Sequence, residues 1–207
     1  MSQTERTALC DAALQVGEDQ PTLCGDWTVK DLVVHLLLRE RSPGAVGIAV
    51  SPLARLTDLE SRRIGAGDFA VLVERLRTGP PVWSPYAVPK LDAMFNTLEF
   101  FVHHEDIRRA QPTWQPREVT DDQQKLLWSM LRTAGKGLVR NAPVGVTMAN
   151  ATTGSQVVLK DASQPVVVTG LPSEVALFVF GRQAQSRVEL SGPDEAIATL
   201  TGSSLGI

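Results

Sequence analysis

The stretch covering residues 90–109, KLDAMFNTLEFFVHHEDIRR, constrains this chain more than any other. At helical rise its length spans about 30 Å, the reach of a bundle helix. Within it Glu99 and His103 stand four residues apart, so their side chains share one helical face and converge on a common point. Phe95, Leu98, Phe101 and Val102 leave almost no polar face around them. A carboxylate in such company is costly unless a proton, a partner or a metal compensates it. The pair is therefore predicted to grip one divalent ion, against the alternative of a chance pairing on a solvated helix. His104 is rotated by about 100° from His103 and is expected outside the first ring of ligands.

A second apolar run supplies a candidate third ligand. In DLVVHLLLRE no polar residue other than His35 stands between Asp31 and Arg39. A lone histidine in such a run is either a hydrogen-bonded core residue or a ligand. Asp31 and Arg39 lie four residues either side of it, on its face, where one can orient the imidazole and the other meet an anionic ligand. The competing reading for both is solvation at the helix ends.

The remainder of the chain reads as helices followed by strands. A box formed by Ser2 and Glu5 predicts the start of a first helix ending near Gly17, and Thr28 with Asp31 caps a second, with Trp27 stapling onto Leu32. Residues 42–44, Ser-Pro-Gly, stop that helix. The helical-looking ARLTDLESRR carries no motif. A clearer helix over 68–77 closes at Gly79, and a box at Thr120 and Gln123 opens a last long helix that fades at Gly135 and Gly137. The helices beginning near Ser2, Thr28, Lys90 and Asp121 are expected to form a four-helix bundle over residues 1–140.

From residue 141 the period changes to that of strands. Residues 144–148 and 157–159 read as a hairpin about Thr153-Gly154, with further strands at 166–169 and 187–190. Short helices are expected from Pro172 to Phe180 and over 193–200. The expected fold class is thus α+β, a bundle followed by a small α+β domain over 141–207.

Composition excludes some functions. A net charge of −3 and a pI near 5.6, with no clustered Lys and Arg, argue against nucleic acid as a partner. No run approaches the roughly 18 apolar residues of a membrane span, and no leader precedes the first helix, so a cytoplasmic protein, monomer or homodimer, is expected. Cys10 and Cys24 fit no ligand spacing and are expected to be free thiols in a reducing compartment.

The segments CGDWTVKDLVVHLLLRE, LEFFVHHEDIRR, VVVTGLPSEVALFVFGR and VELSGPDEA together resemble the mycothiol-dependent maleylpyruvate isomerase family, a branch of the DinB-like metal-binding bundles. The likeness runs over nearly the whole chain. It implies a divalent metal, usually zinc, held by His35, Glu99 and His103, with mycothiol as cosubstrate. It also implies an arginine from the C-terminal domain near the active site, for which Arg182 stands in the matching place. The other reading of Arg182 is a solvated cation facing a helix C-terminus. No motif between Ala45 and Pro89 matches the family.

Chemistry read from the residues agrees with a catalytic site. Two histidines and a glutamate leave one zinc position open, whereas structural zinc prefers four ligands rich in cysteine. A thiol in that position is held as a nucleophilic thiolate for isomerisation or thiol transfer on a small electrophile. Two further readings stand beside this one: a non-enzymatic metal-binding or stress-response protein, and a metal-dependent hydrolase. Nickel, manganese and iron are accepted by the same ligand types.

Overall fold

The computed structural model describes residues 1–41, 54–84, 87 and 89–206, without the side chains of 54–57 and 89–95. The helix stop expected at residues 42–44 lies outside the described residues. The chain divides into two compact units, Met1–Gln115 and Pro116–Ile207.

The first unit is helical among its described residues: α1 Ser2–Val16, α2 Val29–Arg41, α3 Ala54–Gly65, α4 Phe69–Arg77 and α5 Pro89–Arg109. α1 packs along α5 and against α4, while α2 packs on α3 and α4. Leu9, Ala13, Leu32, Val33, Leu36, Phe100 and Ile107 bury their side chains in one core. Each large side chain so buried contributes about 1.5–3 kcal/mol. α2 begins as its sequence predicts: the Thr28 and Asp31 N–H groups and side chains bond one another reciprocally, at 3.0 and 3.2 Å. α1 does not. Its N-cap is Met1, with no side-chain bond, and Ser2 lies inside the helix with its hydroxyl buried and unpartnered. The carboxylate expected to close that box, Glu5, is buried and meets His104 on α5 at 3.3 Å. A long-range partner has taken the local cap's acceptor.

One buried ion pair ties α1 to α2. Arg6 Nη1 and Nη2 donate to both oxygens of Glu40 at 2.7 and 2.5 Å, and the guanidinium stacks 4.3 Å from the Phe100 ring centroid. Asn96 on α5 also donates to Glu40, at 3.2 Å, and in turn accepts a bond from Arg39. Buried charge is thereby compensated by geometry rather than by water. Cys10 lies in the same core, where burial pushes its thiol up to about 12, so it is inert at neutral pH.

The helix expected as the bundle's fourth member, α6 Asp121–Leu138, belongs instead to the second unit, so the unit boundary falls at Gln115/Pro116 rather than at 140/141. The box at its start is present, with Thr120 and Gln123 bonding reciprocally. Its buried stripe of Leu127, Leu131 and Leu138 serves a unit in which it packs on α7 and β2. Gly135, read from sequence as a fading end, is a contact point: a Cβ there would lie 2.9 Å from a methyl of Leu159 on β2.

The second unit carries a mixed sheet of β1 Val146–Asn150, β2 Gln156–Lys160, β3 Val166–Gly170 and β4 Glu189–Ser191, in the order β2-β1-β3-β4. β1 pairs antiparallel with β2 and parallel with β3, and β3 pairs antiparallel with β4. Two helices complete it, α7 Pro172–Val179 and α8 Asp194–Thr201. The protein is thus of mixed helix and strand, as expected for an α+β chain. Among the described residues no helix is long and apolar enough to cross a membrane.

Candidate metal centre

α2 and α5 of the first unit bring the three predicted ligands together. His35 Nε2 lies 3.8 Å from Glu99 Oε1, and His103 Nε2 lies 3.3 Å from the same oxygen. One ligand atom from each of the three falls within 4.8 Å of the other two. Tetrahedral zinc with bonds of about 2.0–2.1 Å sets neighbouring ligand atoms about 3.3–3.4 Å apart. The Glu99–His103 spacing already meets that figure, and the His35 side chain is the one that has to close in. The donor set fits a divalent ion of intermediate softness.

Behind His103 stands a carboxylate that the sequence reading did not single out. Asp106 is fully buried, and its Oδ2 accepts from His103 Nδ1 at 2.8 Å. A proton committed there leaves Nε2 as the free lone pair, on the side of Glu99 and His35. Metal-bound histidines are held in this way, their second nitrogen donating to a carboxylate. The spacing of three residues along one helix was the available signal, but HHEDIRR reads as a charged helix end. Asp31, the residue expected to orient an imidazole, is otherwise engaged: Thr28 donates to its Oδ2 from both N–H and hydroxyl, at 3.0 and 2.7 Å.

Cys24 joins this cluster from the loop before α2. Its thiol donates to Asp106 Oδ2 at 3.1 Å and lies 3.7 Å from His103 Nδ1. Cys24, His103 and Asp106 therefore form a second group able to hold a metal ion, sharing His103 with the first. Its His103–Asp106 spacing is that of a hydrogen bond, shorter than two ligands of one tetrahedral ion adopt.

Electrostatics separate the three ligands. Burial holds His35 below the usual imidazole range. Burial alone would raise Glu99, but hydrogen bonds from His103 and His35, with the charges of His103 and Arg39, outweigh it and hold the carboxyl well below its usual range. Burial would likewise lower His103, yet the hydrogen bonds to Asp106, Cys24 and Glu99 prevail and raise it well above 6.5. The two carboxylates, Asp106 at Nδ1 and Glu99 at Nε2, thus favour the protonated ring of His103 when no metal is bound. His104, its neighbour, faces Glu5 on α1 instead and takes no part in either group.

Arg39 sits where a charge partner is needed. Its Nε lies 3.8 Å from Glu99 Oε1 and its guanidinium also donates to Asn96. Trp27 lies against His35, ring centroids 5.0 Å apart. A pocket of about 790 Å³ opens between α2 and α3, lined by Trp27, His35, Leu38 and Arg62 among others. Arg182 belongs to the second unit, in a Schellman ending of α7: its N–H bonds the Leu177 carbonyl at 2.9 Å, that of Gly181 bonds Phe178 at 3.0 Å, and its guanidinium bonds Phe180. Gly181 there has φ of 89°, and a Cβ would lie 2.6 Å from the Leu205 carbonyl oxygen. Compared with protein-family models, with curated proteins and with solved structures, the chain matches none.

Proposed function

We propose that this chain is a metal-dependent enzyme of the mycothiol-dependent maleylpyruvate isomerase type, which uses a low-molecular-weight thiol, mycothiol by resemblance, for isomerisation or thiol transfer on a small electrophile. The observation that carries the reading is the convergence of His35, Glu99 and His103 with Asp106 behind His103. These three residues hold the ion, zinc first among candidates. When bound, such an ion lowers the pKa of a thiol beside it and keeps a thiolate at neutral pH. Asp106 fixes the His103 ring and its tautomer. Arg39 offsets the charge of Glu99 and offers a cation to an anionic substrate, and Trp27 shields one face of His35 from water. Arg182 is the proposed bidentate partner of a substrate carboxylate, a role that rests on the resemblance and on the Schellman ending that holds its backbone.

The test is cobalt-substituted protein titrated with thiols in buffers of different ionisation enthalpy. A sulfur-to-cobalt charge-transfer band that grows with added thiol, accompanied by proton release, is expected. No band at millimolar thiol would sink the reading. Arg182→Ala is expected to keep full metal content while weakening an anionic ligand by about 1.5–3 kcal/mol.

A second reading, a non-enzymatic metal-binding protein, is favoured by Cys24 beside His103, since structural zinc takes cysteine. It predicts the same band before any thiol is added, and its loss in Cys24→Ser.

A further inference from the structure

The pocket beside His35 has an unusual charge inventory. Among the described residues its ionisable lining, His35 apart, consists of Lys30, Asp31, Asp58 and Arg62. Two of these are committed elsewhere: Lys30 pairs with Glu18 at 2.8 Å, and the Asp31 carboxylate is held by Thr28. The other two are not. Asp58 and Arg62 stand four apart on α3 with the acid N-terminal, the arrangement in which helical ion pairs form best. Yet the two are not within ion-pair distance of one another, and among the described residues no other charged group pairs with either. Among the described residues one unpaired charge of each sign thus lines the same cavity, together with the apolar or aromatic Trp27, Val34 and Leu38 and the hydroxyl-bearing Ser61.

We propose that this pocket binds the zwitterionic head of an amino-acid-like ligand, its carboxylate on Arg62 and its ammonium on Asp58, with the ligand's other end directed at His35. A simple anion would meet Arg62 but be repelled by Asp58, and a simple cation the reverse; only a molecule with both charges answers both residues. Arg62 offers a planar fork that fits a carboxylate in two bonds, and the Ser61 hydroxyl beside it is a further donor. The inference deepens the thiol-dependent reading above, since the head can belong to the thiol itself or to the electrophile it attacks. Both sources share the chemistry that Arg62 and Asp58 recognise.

The experiment is calorimetric titration of the metal-loaded protein with four matched thiols: L-homocysteine, 4-mercaptobutyrate lacking the amine, 3-mercaptopropylamine lacking the carboxylate, and 1-propanethiol lacking both. L-methionine, whose sulfur is capped, forms the fifth arm. Homocysteine is expected to bind about three- to tenfold more tightly than either singly charged analogue, the range appropriate to partly exposed charge pairs. Arg62→Ala removes its advantage over mercaptopropylamine and Asp58→Ala its advantage over mercaptobutyrate, while propanethiol binds all three proteins alike. Methionine binding with the same dependence on Arg62 and Asp58 assigns the head to the electrophile; homocysteine alone showing it assigns the head to the thiol. If propanethiol fails to bind while methionine still responds to both substitutions, the thiol-dependent reading falls and the zwitterion site stands. Equal affinities for homocysteine and its singly charged analogues overturn the proposal. So does an advantage that survives in the double variant, which would mark direct chelation of the metal.

Discussion

Replacing Asp106 by asparagine tests the centre at the point where the structure is most specific. The substitution keeps shape and leaves an oxygen to accept from His103 Nδ1, so the ring stays oriented, but it deletes a fully buried charge 2.8 Å from that nitrogen. Loss of an outer carboxylate of this kind costs about 10- to 100-fold in metal affinity, or about 1.4–2.8 kcal/mol at about 1.4 kcal/mol per decade. The pH dependence adds a sign. In the native protein the proton on His103 must leave before metal binds, and its pKa is raised by Asp106 first among the favourable partners. Below that pKa each pH unit lowers apparent affinity by up to about tenfold. The variant's His103 titrates lower, so its affinity begins to fall at lower pH. The handicap of Asp106→Asn should therefore be greatest in alkaline buffer and narrow as pH drops. Competition with a chelating dye between pH 6 and 9 measures both curves. A handicap that is absent, constant with pH or wider at low pH refutes the assignment of Asp106.

Metal content by elemental analysis should vanish in His35→Ala and His103→Ala and persist in His104→Ala, which instead loses about 1–3 kcal/mol of stability because the buried Glu5 carboxylate gives up its hydrogen bond to His104. Breaking the ion pair between α1 and α2 with Arg6→Met should cost about 3–5 kcal/mol in chemical denaturation, and adding Glu40→Leu should restore most of it, since the orphaned charge is then gone. In metal-free protein, the stabilisation from His103 is fully present below its unfolded pKa of about 6.5 and is lost as pH rises through its raised folded value. Denaturant midpoints should fall along that alkaline limb, and His103→Gln should flatten it.

What the sequence revealed followed from local geometry. Glu99 and His103 were legible as neighbours because helical spacing determines the face they share, His35 only as a candidate from its apolar run and from the family resemblance, and Thr28 with Asp31 because a capping box is completed within four residues. Glu5 shows the limit: three residues after Ser2 it has the form of a cap, but its partner stands 99 positions away on α5. Arg6 and Glu40, 34 apart, leave no local trace at all. On α6 the periodicity announced burial at Leu127 and Leu131 but also at Leu126, which is exposed, and an amphipathic pattern records that a face is covered and not by what. Asp106 stayed hidden for a related reason, since a helix end rich in charge looks solvated until the loop carrying Cys24 is seen lying over it.

α5 is fastened at several azimuths. Asn96 and Glu99 face α2, His104 faces α1, and Asp106 meets the loop before α2 through both its carboxylate and its carbonyl, the latter bonded by Leu23 N–H at 3.1 Å. A purely apolar helix tolerates rolling about its own axis, because one leucine contact replaces another. Here a roll of one residue, about 100°, would strand each of these polar groups against hydrocarbon at about 1–3 kcal/mol apiece. The roll angle of α5 is thus set by folding, and with it the heading of Glu99 and His103. Their rotamer entropy, up to about 2 kcal/mol for a side chain such as glutamate, is already spent when an ion arrives. Differences among zinc, nickel, manganese and iron at this centre then report the coordination chemistry of the ions rather than the protein's readiness to receive them.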